Sequence, residues 1–159
     1  MEYSIVRVNK NNYFMHDDMI FHRKHGRDKN ECELKEIQDF TAEYKILDNE
    51  NLFIYAAQTE NKFVGYISIA YIPKVGQTLH GLNGFLFVDE LWTNPNYREN
   101  GIAYALMMQA DKLCKDKKIS GLRLYVGGDN TVARTLYTKC GYNDKGGNAH
   151  FMEKILGEK

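Results

Sequence analysis

This sequence has no net charge, no pairable set of cysteines, no long apolar run and no internal repeat. Twenty-one basic and 21 acidic residues cancel, so no overall positive field marks nucleic acid as a partner, although a local basic patch is compatible with the balance. The three cysteines, Cys32, Cys114 and Cys140, are odd in number and far apart. That excludes a disulfide framework and zinc-type spacing, and points to a reducing cytoplasm. Cys114 and Cys140 fall at apolar helical positions, where cysteine acts as a small buried hydrophobe. No segment approaches the ~20 apolar residues of a membrane helix. The opening residues, MEYSIV, carry neither the basic leader nor the apolar run of a signal peptide.

A chain of 159 residues, 43% hydrophobic and 26% charged, suits a globular protein, with residues 1–159 forming a single domain around one core. Residues 3–8 alternate as a first strand, and residues 12–24 read as a helix offering Phe14, Met15, Met19 and Ile20 for burial before Gly26 closes it. A second helix is expected over residues 31–47, with Leu34, Ile37, Phe40, Tyr44 and Leu47 on one stripe. Strands over 51–58 and 62–72 flank Thr59-Glu60-Asn61, a hairpin turn. Residues 73–84 read as a long loop, followed by a strand over 85–93 and a helix to about residue 117. A strand over 122–126, a helix over 130–140 ended by Gly141, and a last strand over 150–155 complete the pattern.

The order is that of an α/β protein with a mixed sheet. Its centre is the stretch FLFVDELWTNPNYRENGIAYALMMQA, residues 85–110. Apolar and aromatic strand residues lead to Asn94-Pro95-Asn96, which breaks the ladder. From Ile102 the apolar positions Ile102, Leu106, Ala110 and Leu113 recur at helical spacing. A glycine-containing turn between strand and helix presents backbone N–H groups at the positive end of a helix dipole, an arrangement suited to phosphate. On its own such a turn is more often structural.

A second pattern adds specificity. Pro95-x-x-Arg98-x-x-Gly101-x-Ala103 resembles the acyl-CoA pyrophosphate loop of the GNAT superfamily of N-acetyltransferases. Downstream, Val126-x-x-x-Asn130-x-x-Ala133-x-x-x-Tyr137-x-Lys139-x-Gly141-Tyr142 resembles that family's other cofactor motif, in the family's order. The resemblance implies a mixed, mainly antiparallel sheet of about six to seven strands flanked by about four helices, splayed between the fourth and fifth strands.

It also implies acetyl-CoA as acyl donor. Backbone groups of Asn100, Gly101, Ile102 and Ala103, with Arg98 beside them, are the expected pyrophosphate donors. In the family, glycine usually follows the arginine. Here Glu99 places a carboxylate there, which repels phosphate unless it is directed outward. The pantetheine arm is amide-rich and is expected to pair with the edge formed by Leu91, Trp92 and Thr93, where a backbone N–H also serves the oxyanion. Asn130 suits a helix N-cap, with Ala133 and Tyr137 completing the cofactor-side set.

Direct transfer requires a base and an acid. An amine with a pKa near ~10 must lose its proton before attack. The run VDELWT, residues 88–93, is similar to the acid-acid-aromatic run of spermidine/spermine-type acetyltransferases, which puts Asp89 at the base position and Glu90 beside it. Aspartate is short, which favours a bridging water. Neighbouring strand residues face opposite sides, so only one of the two faces the thioester unless a bulge turns both inward. Tyr137 is the expected general acid for the departing thiolate; spacing alone would make it a core tyrosine.

No cysteine falls at a motif position near the proposed thioester. The five histidines, His16, His22, His25, His80 and His150, assemble no convincing metal set, so none is expected. Asp17 and Asp18 lie where the resemblance places an acceptor wall; a solvated helix face is the plainer reading. The expected reaction is acetyl transfer to the primary amine of a small molecule, a polyamine or diamine being the first candidate. Aminoglycosides, amino acids and peptide N-termini are rivals, as is a non-catalytic acetyl-CoA-binding sensor. Nucleic acid and membrane are not expected partners, and a homodimer stays open because family members often dimerise.

Overall fold

The computed structural model describes residues 1–75, 78–79, 82–147 and 150–156. Along the chain lie β1 (Ser4–Arg7), α1 (Tyr13–His25), α2 (Glu31–Lys35), α3 (Thr41–Leu47), β2 (Leu52–Gln58), β3 (Phe63–Ile72), β4 (Thr78–Leu79) and β5 (Leu82–Asn83). They are followed by β6 (Phe85–Thr93), a single 3₁₀ turn (Pro95–Tyr97), α4 (Ile102–Asp116), β7 (Leu122–Leu124) and α5 (Thr131–Lys139).

Among the described residues the main sheet has five strands, in the order β1-β2-β3-β6-β7. The first three pairings are antiparallel, and β6 with β7 is parallel. This is the mixed, mainly antiparallel α/β sheet expected, with one strand fewer than the low end of the expectation. The β2–β3 turn forms at Thr59, whose N–H donates to the Lys62 carbonyl at 3.0 Å.

Each face of the sheet carries its own apolar cluster. On one, α4 buries Ile102, Leu106, Met107, Ala110, Leu113 and Cys114, the predicted stripe widened by two neighbours. They meet Val64, Ile67, Ile69, Leu86 and Val88. Gly65 lets this helix sit close, because a Cβ there would stand 3.0 Å from both Ile102 Cγ2 and the Trp92 carbonyl. On the other face, α1 places Met19 against Tyr66, Phe63, Ala56 and Val8. Phe14, expected inside, is exposed, and His16 is buried instead.

Three expectations are corrected. The helix over 31–47 is two helices, α2 and α3, which brings the α-helix count among the described residues to five. Glu36 is extended at φ −64°, ψ 132°, and the Asp39 carboxylate accepts from both the Thr41 N–H (3.0 Å) and its hydroxyl (2.6 Å). Such local bonds compete with a continuous helix, and the stripe that argued for one packs only in its second half: Leu34 and Ile37 are exposed, while Phe40 and Tyr44 meet the Tyr13 ring and Leu47 joins the α1-side cluster.

Within the expected loop, the short β4 and β5 pair antiparallel, Thr78 with Asn83 and Leu79 with Leu82. No strand forms over residues 150–156, where Phe151, Met152, Ile155 and Leu156 are exposed. Their order places two apolar pairs around Glu153-Lys154. That order matches neither face of a strand, which needs strict alternation.

Candidate active site

Among the described residues, β6 and β7 are paired only at Leu86–Leu122, Phe87–Arg123 and Val88–Leu124. Beyond Val88, β6 runs on to Thr93 with no partner on that side among the described residues, while still paired to β3 on the other. The sheet therefore opens between its fourth and fifth strands. The backbone edge of Leu91, Trp92 and Thr93 faces this opening, and the Thr93 hydroxyl is buried with no hydrogen-bond partner among the described residues.

The turn after β6 is built from local bonds. Asn94, itself buried, accepts from the Asn96 N–H at 3.0 Å through its side chain and from the Tyr97 N–H at 2.8 Å through its carbonyl. Asn100 donates from its amide nitrogen to the carbonyls of Tyr97 (3.1 Å) and Arg98 (3.0 Å). Two left-handed residues flank Asn100: Glu99 at φ 64° and Gly101 at φ 76°.

Gly101 is the N-cap of α4, and having no side chain it offers no capping oxygen. The first helical bond runs from the Ala105 N–H to the Gly101 carbonyl at 2.9 Å. The N–H groups of Ile102, Ala103 and Tyr104 thus have no acceptor within the helix. Space beside Gly101 is open: a Cβ there would meet nothing nearer than the Tyr3 hydroxyl at 3.6 Å. Arg98 and Glu99 are exposed at the mouth of this turn. An anion fits here: uncapped donors, a helix dipole, a nearby guanidinium and a glycine permitting approach.

After β7 the chain enters α5, which packs on the α4-side cluster. The Asn130 side chain accepts from the Ala133 N–H at 3.1 Å, which makes it the N-cap expected. Tyr137 is half-buried on the face that carries Leu136 and Cys140 against the core, its ring 6.0 Å from that of Tyr142. Burial, and secondarily Cys140, push its phenol up. It therefore holds its proton at neutral pH.

The acid pair lies on a bulge. Glu90 pairs with Ser68 and Val88 with Ile69, so Asp89 is the extra residue of β6. Val88 and Leu91 both pack toward the α4-side cluster, and the strand between them no longer alternates. Glu90 points to the α1 side, where the Tyr66 hydroxyl donates to its Oε2 at 2.7 Å. Arg23 of α1 donates to the Tyr66 oxygen and stands 3.5 Å from Glu90 Oε1. Asp89 is exposed, with no ion pair among the described residues.

Beside this group a cleft of about 200 Å³ is lined by His22, Arg23, Gly26, Trp92, Pro95 and Asn96. Asp17 and Asp18 do not present free charge to it, since both pair with Lys29, at 2.6 and 2.8 Å. Tyr66, Arg23 and His16 were not visible as site residues in the sequence. A tyrosine in a buried strand and a basic residue in a helix's last turn are ordinary, and only the packing of α1 on β3 brings them to Glu90.

This is an α/β sheet opened beside an uncapped helix N-terminus, with ionisable residues at the opening. Residues 16–142 match the Acetyltransferase (GNAT) family, and the chain belongs to that family. A spermidine N(1)-acetyltransferase of Thermoplasma acidophilum is 28% identical over 108 residues, covering 67% of this chain and 61% of that protein. The chain thus spans about three fifths of that relative's length.

Among solved structures, an aminoglycoside acetyltransferase from an uncultured soil metagenomic sample, in complex with trehalose, superposes with a TM-score of 0.77 at 17% identity, over 97% of each chain. An aminoglycoside acetyltransferase in complex with a bisubstrate analogue containing CoA gives 0.73 at 13% identity, over 98% of this chain and 100% of the other. A ribosomal-protein-alanine N-acetyltransferase of Brucella melitensis gives 0.68 at 17% identity, over 96% of this chain and 100% of the other. These likenesses are of fold. Among the described residues no helix is long and apolar enough to cross a membrane.

Proposed function

We propose that the chain is an acetyl-CoA-dependent N-acetyltransferase that passes the acetyl group directly to a primary amine of a small molecule, with a polyamine or diamine as acceptor. The observation that carries this reading is the opening of β6 from β7 next to a helix whose glycine N-cap leaves its first amides without side-chain acceptors. The likeness to a spermidine acetyltransferase supports the acceptor class.

In this reading, the Ile102 and Ala103 amides, with Gly101, Asn100, Glu99 and Arg98 forming the turn, hold the pyrophosphate. Leu91, Trp92 and Thr93 offer their open backbone edge to the pantetheine amides, and an N–H there faces the thioester oxygen. The unpartnered Thr93 hydroxyl and the open space beside Gly101 fit such an occupant. Asn130 and Ala133 shape the opposite wall. Asp89, free of ion pairing among the described residues and open to water, takes the amine's proton, directly or through a water. Glu90 attracts the incoming ammonium. Tyr137 gives its phenolic proton to the departing sulfur and recovers one from solvent.

Residues 1–159 act as a single domain in this scheme. Its compartment is the cytoplasm, in keeping with the free thiols of Cys32, Cys114 and Cys140. Mass-detected acetyl transfer from acetyl-CoA across polyamines, aminoglycosides, amino acids and peptides tests it. Diamines and polyamines are expected to gain about 42 Da, one acetyl replacing one proton, ahead of the other classes. Binding of acetyl-CoA with no acetylated product from any class would make the chain a sensor.

A further inference from the structure

The acceptor side contains a hydrogen-bond file that ends on Glu90 and begins with two residues to which the reaction scheme gives no role, Arg23 and Tyr66. Arg23, on the last turn of α1, donates to the Tyr66 oxygen, and the Tyr66 hydroxyl lies 2.7 Å from Glu90 Oε2. Donor chemistry fixes its direction. A guanidinium only donates, so the Tyr66 oxygen accepts from Arg23 and its one hydrogen is committed to Glu90. An ionised carboxylate only accepts, so the direction of the file is fixed from Arg23 through Tyr66 to Glu90.

Among the described residues, the groups facing Glu90 are few. From β3 there is Tyr66, from α1 Arg23 and His16, and on β6 itself the neighbouring Asp89. Tyr66 is 1% exposed and wedged between strand and helix, so it cannot swing away. Burial, then Glu90, push its phenol up, which keeps the hydrogen in place. His16 packs edge-on against the Tyr66 ring at 5.0 Å and 82°. Burial drives its pKa down to about 4, so His16 does not compete for the carboxylate as a cation at neutral pH. Asp89, one residue away on the bulge, is not part of the file.

We infer that Tyr66 is a positioning residue: braced by Arg23, it holds the Glu90 carboxylate in one orientation as the receptor for the acceptor's ammonium, while Asp89 is left free to take the proton. This rests on the proposed acetyl transfer. It divides the acid pair into a fixed anion and a proton acceptor, and it places the control of amine affinity on a residue that touches no substrate.

A double-mutant cycle of Tyr66→Phe and Glu90→Gln tests it, read in steady-state acetylation and in urea unfolding. Phenylalanine keeps the ring and its packing and removes only the hydroxyl. In the wild-type background Tyr66→Phe is expected to raise KM for the amine about tenfold with kcat within about threefold, the size expected for a hydrogen bond to a charged group. In the Glu90→Gln background the same change is expected to alter KM less than about twofold, because the negative charge that Tyr66 orients toward the ammonium is gone.

An equal KM penalty in both backgrounds overturns the inference, as does a loss confined to kcat, or coupling seen in unfolding but not in KM. Failure of the underlying reading looks different. Wild-type protein that acetylates no amine removes both before any variant is made.

Discussion

His16 makes a stability prediction that can be worked through from the structure. Its ring is 6% exposed, its Nδ1 has no hydrogen-bond partner among the described residues, and it lies between the rings of Tyr13 and Tyr66. Burial lowers its pKa from 6.5 to about 4, and the charges of Glu90 and Asp17 oppose this without overcoming it. The unfolded chain therefore takes up a proton at this histidine near pH 6.5, whereas the folded chain does not until about pH 4. Stability from this residue is present in full above pH 6.5 and is lost as pH falls toward 4.

The full gap corresponds to about 3 kcal/mol, and about 2 kcal/mol of it is expressed by pH 4.5. His16→Phe removes the titration while filling the same aromatic niche. Urea unfolding of both proteins at pH 7 and pH 4.5 isolates the residue, because every other titrating group is common to the two. The wild type is expected to lose about 2 kcal/mol more than the variant over that interval, or roughly 4–8 °C of Tm for a chain of this size. Equal pH dependence in the two proteins would refute the claim that His16 is held neutral by burial, and with it the account of why His16 does not act as a cation beside Glu90.

The site supports further expectations. Tyr137→Phe should lower kcat at neutral pH by about 100-fold, the loss of one general acid, with the acetyl-CoA dissociation constant nearly unchanged by calorimetry. Asp89→Asn should lower kcat by about 100-fold or more while leaving thermal stability intact, since Asp89 is exposed and forms no ion pair among the described residues. Gly101→Asp should abolish the rise in Tm caused by acetyl-CoA. Gly101→Ala, which shares the strain of φ 76° without the charge, should keep part of it. A normal thermal shift in the aspartate variant would take the turn out of the binding site.

Much of the framework follows from local chemistry and is legible in the residues. The stripe of α4 repeats at helical spacing and is buried as read. Asn130 has an oxygen to cap α5, and does. Gly26 and Gly141 end helices in the left-handed conformation that glycine tolerates. The helix over 31–47 misleads because its apolar spacing is real while the Asp39 turn competes with it. The strand over 150–155 misleads because its residues are apolar without alternating.

Most of the elements and their order, the glycine turn and the residues with chemistry to offer can be read along the chain, because each follows from contacts within a turn or two of backbone. Packing alone sets the parting of β6 from β7 after Val88, the bulge at Asp89, and the meeting of Arg23, Tyr66 and Glu90. Those last three lie 43 and 24 residues apart in turn. No periodicity spans such distances; the seating of α1 against β3 and β6 brings those side chains within a hydrogen bond of one another.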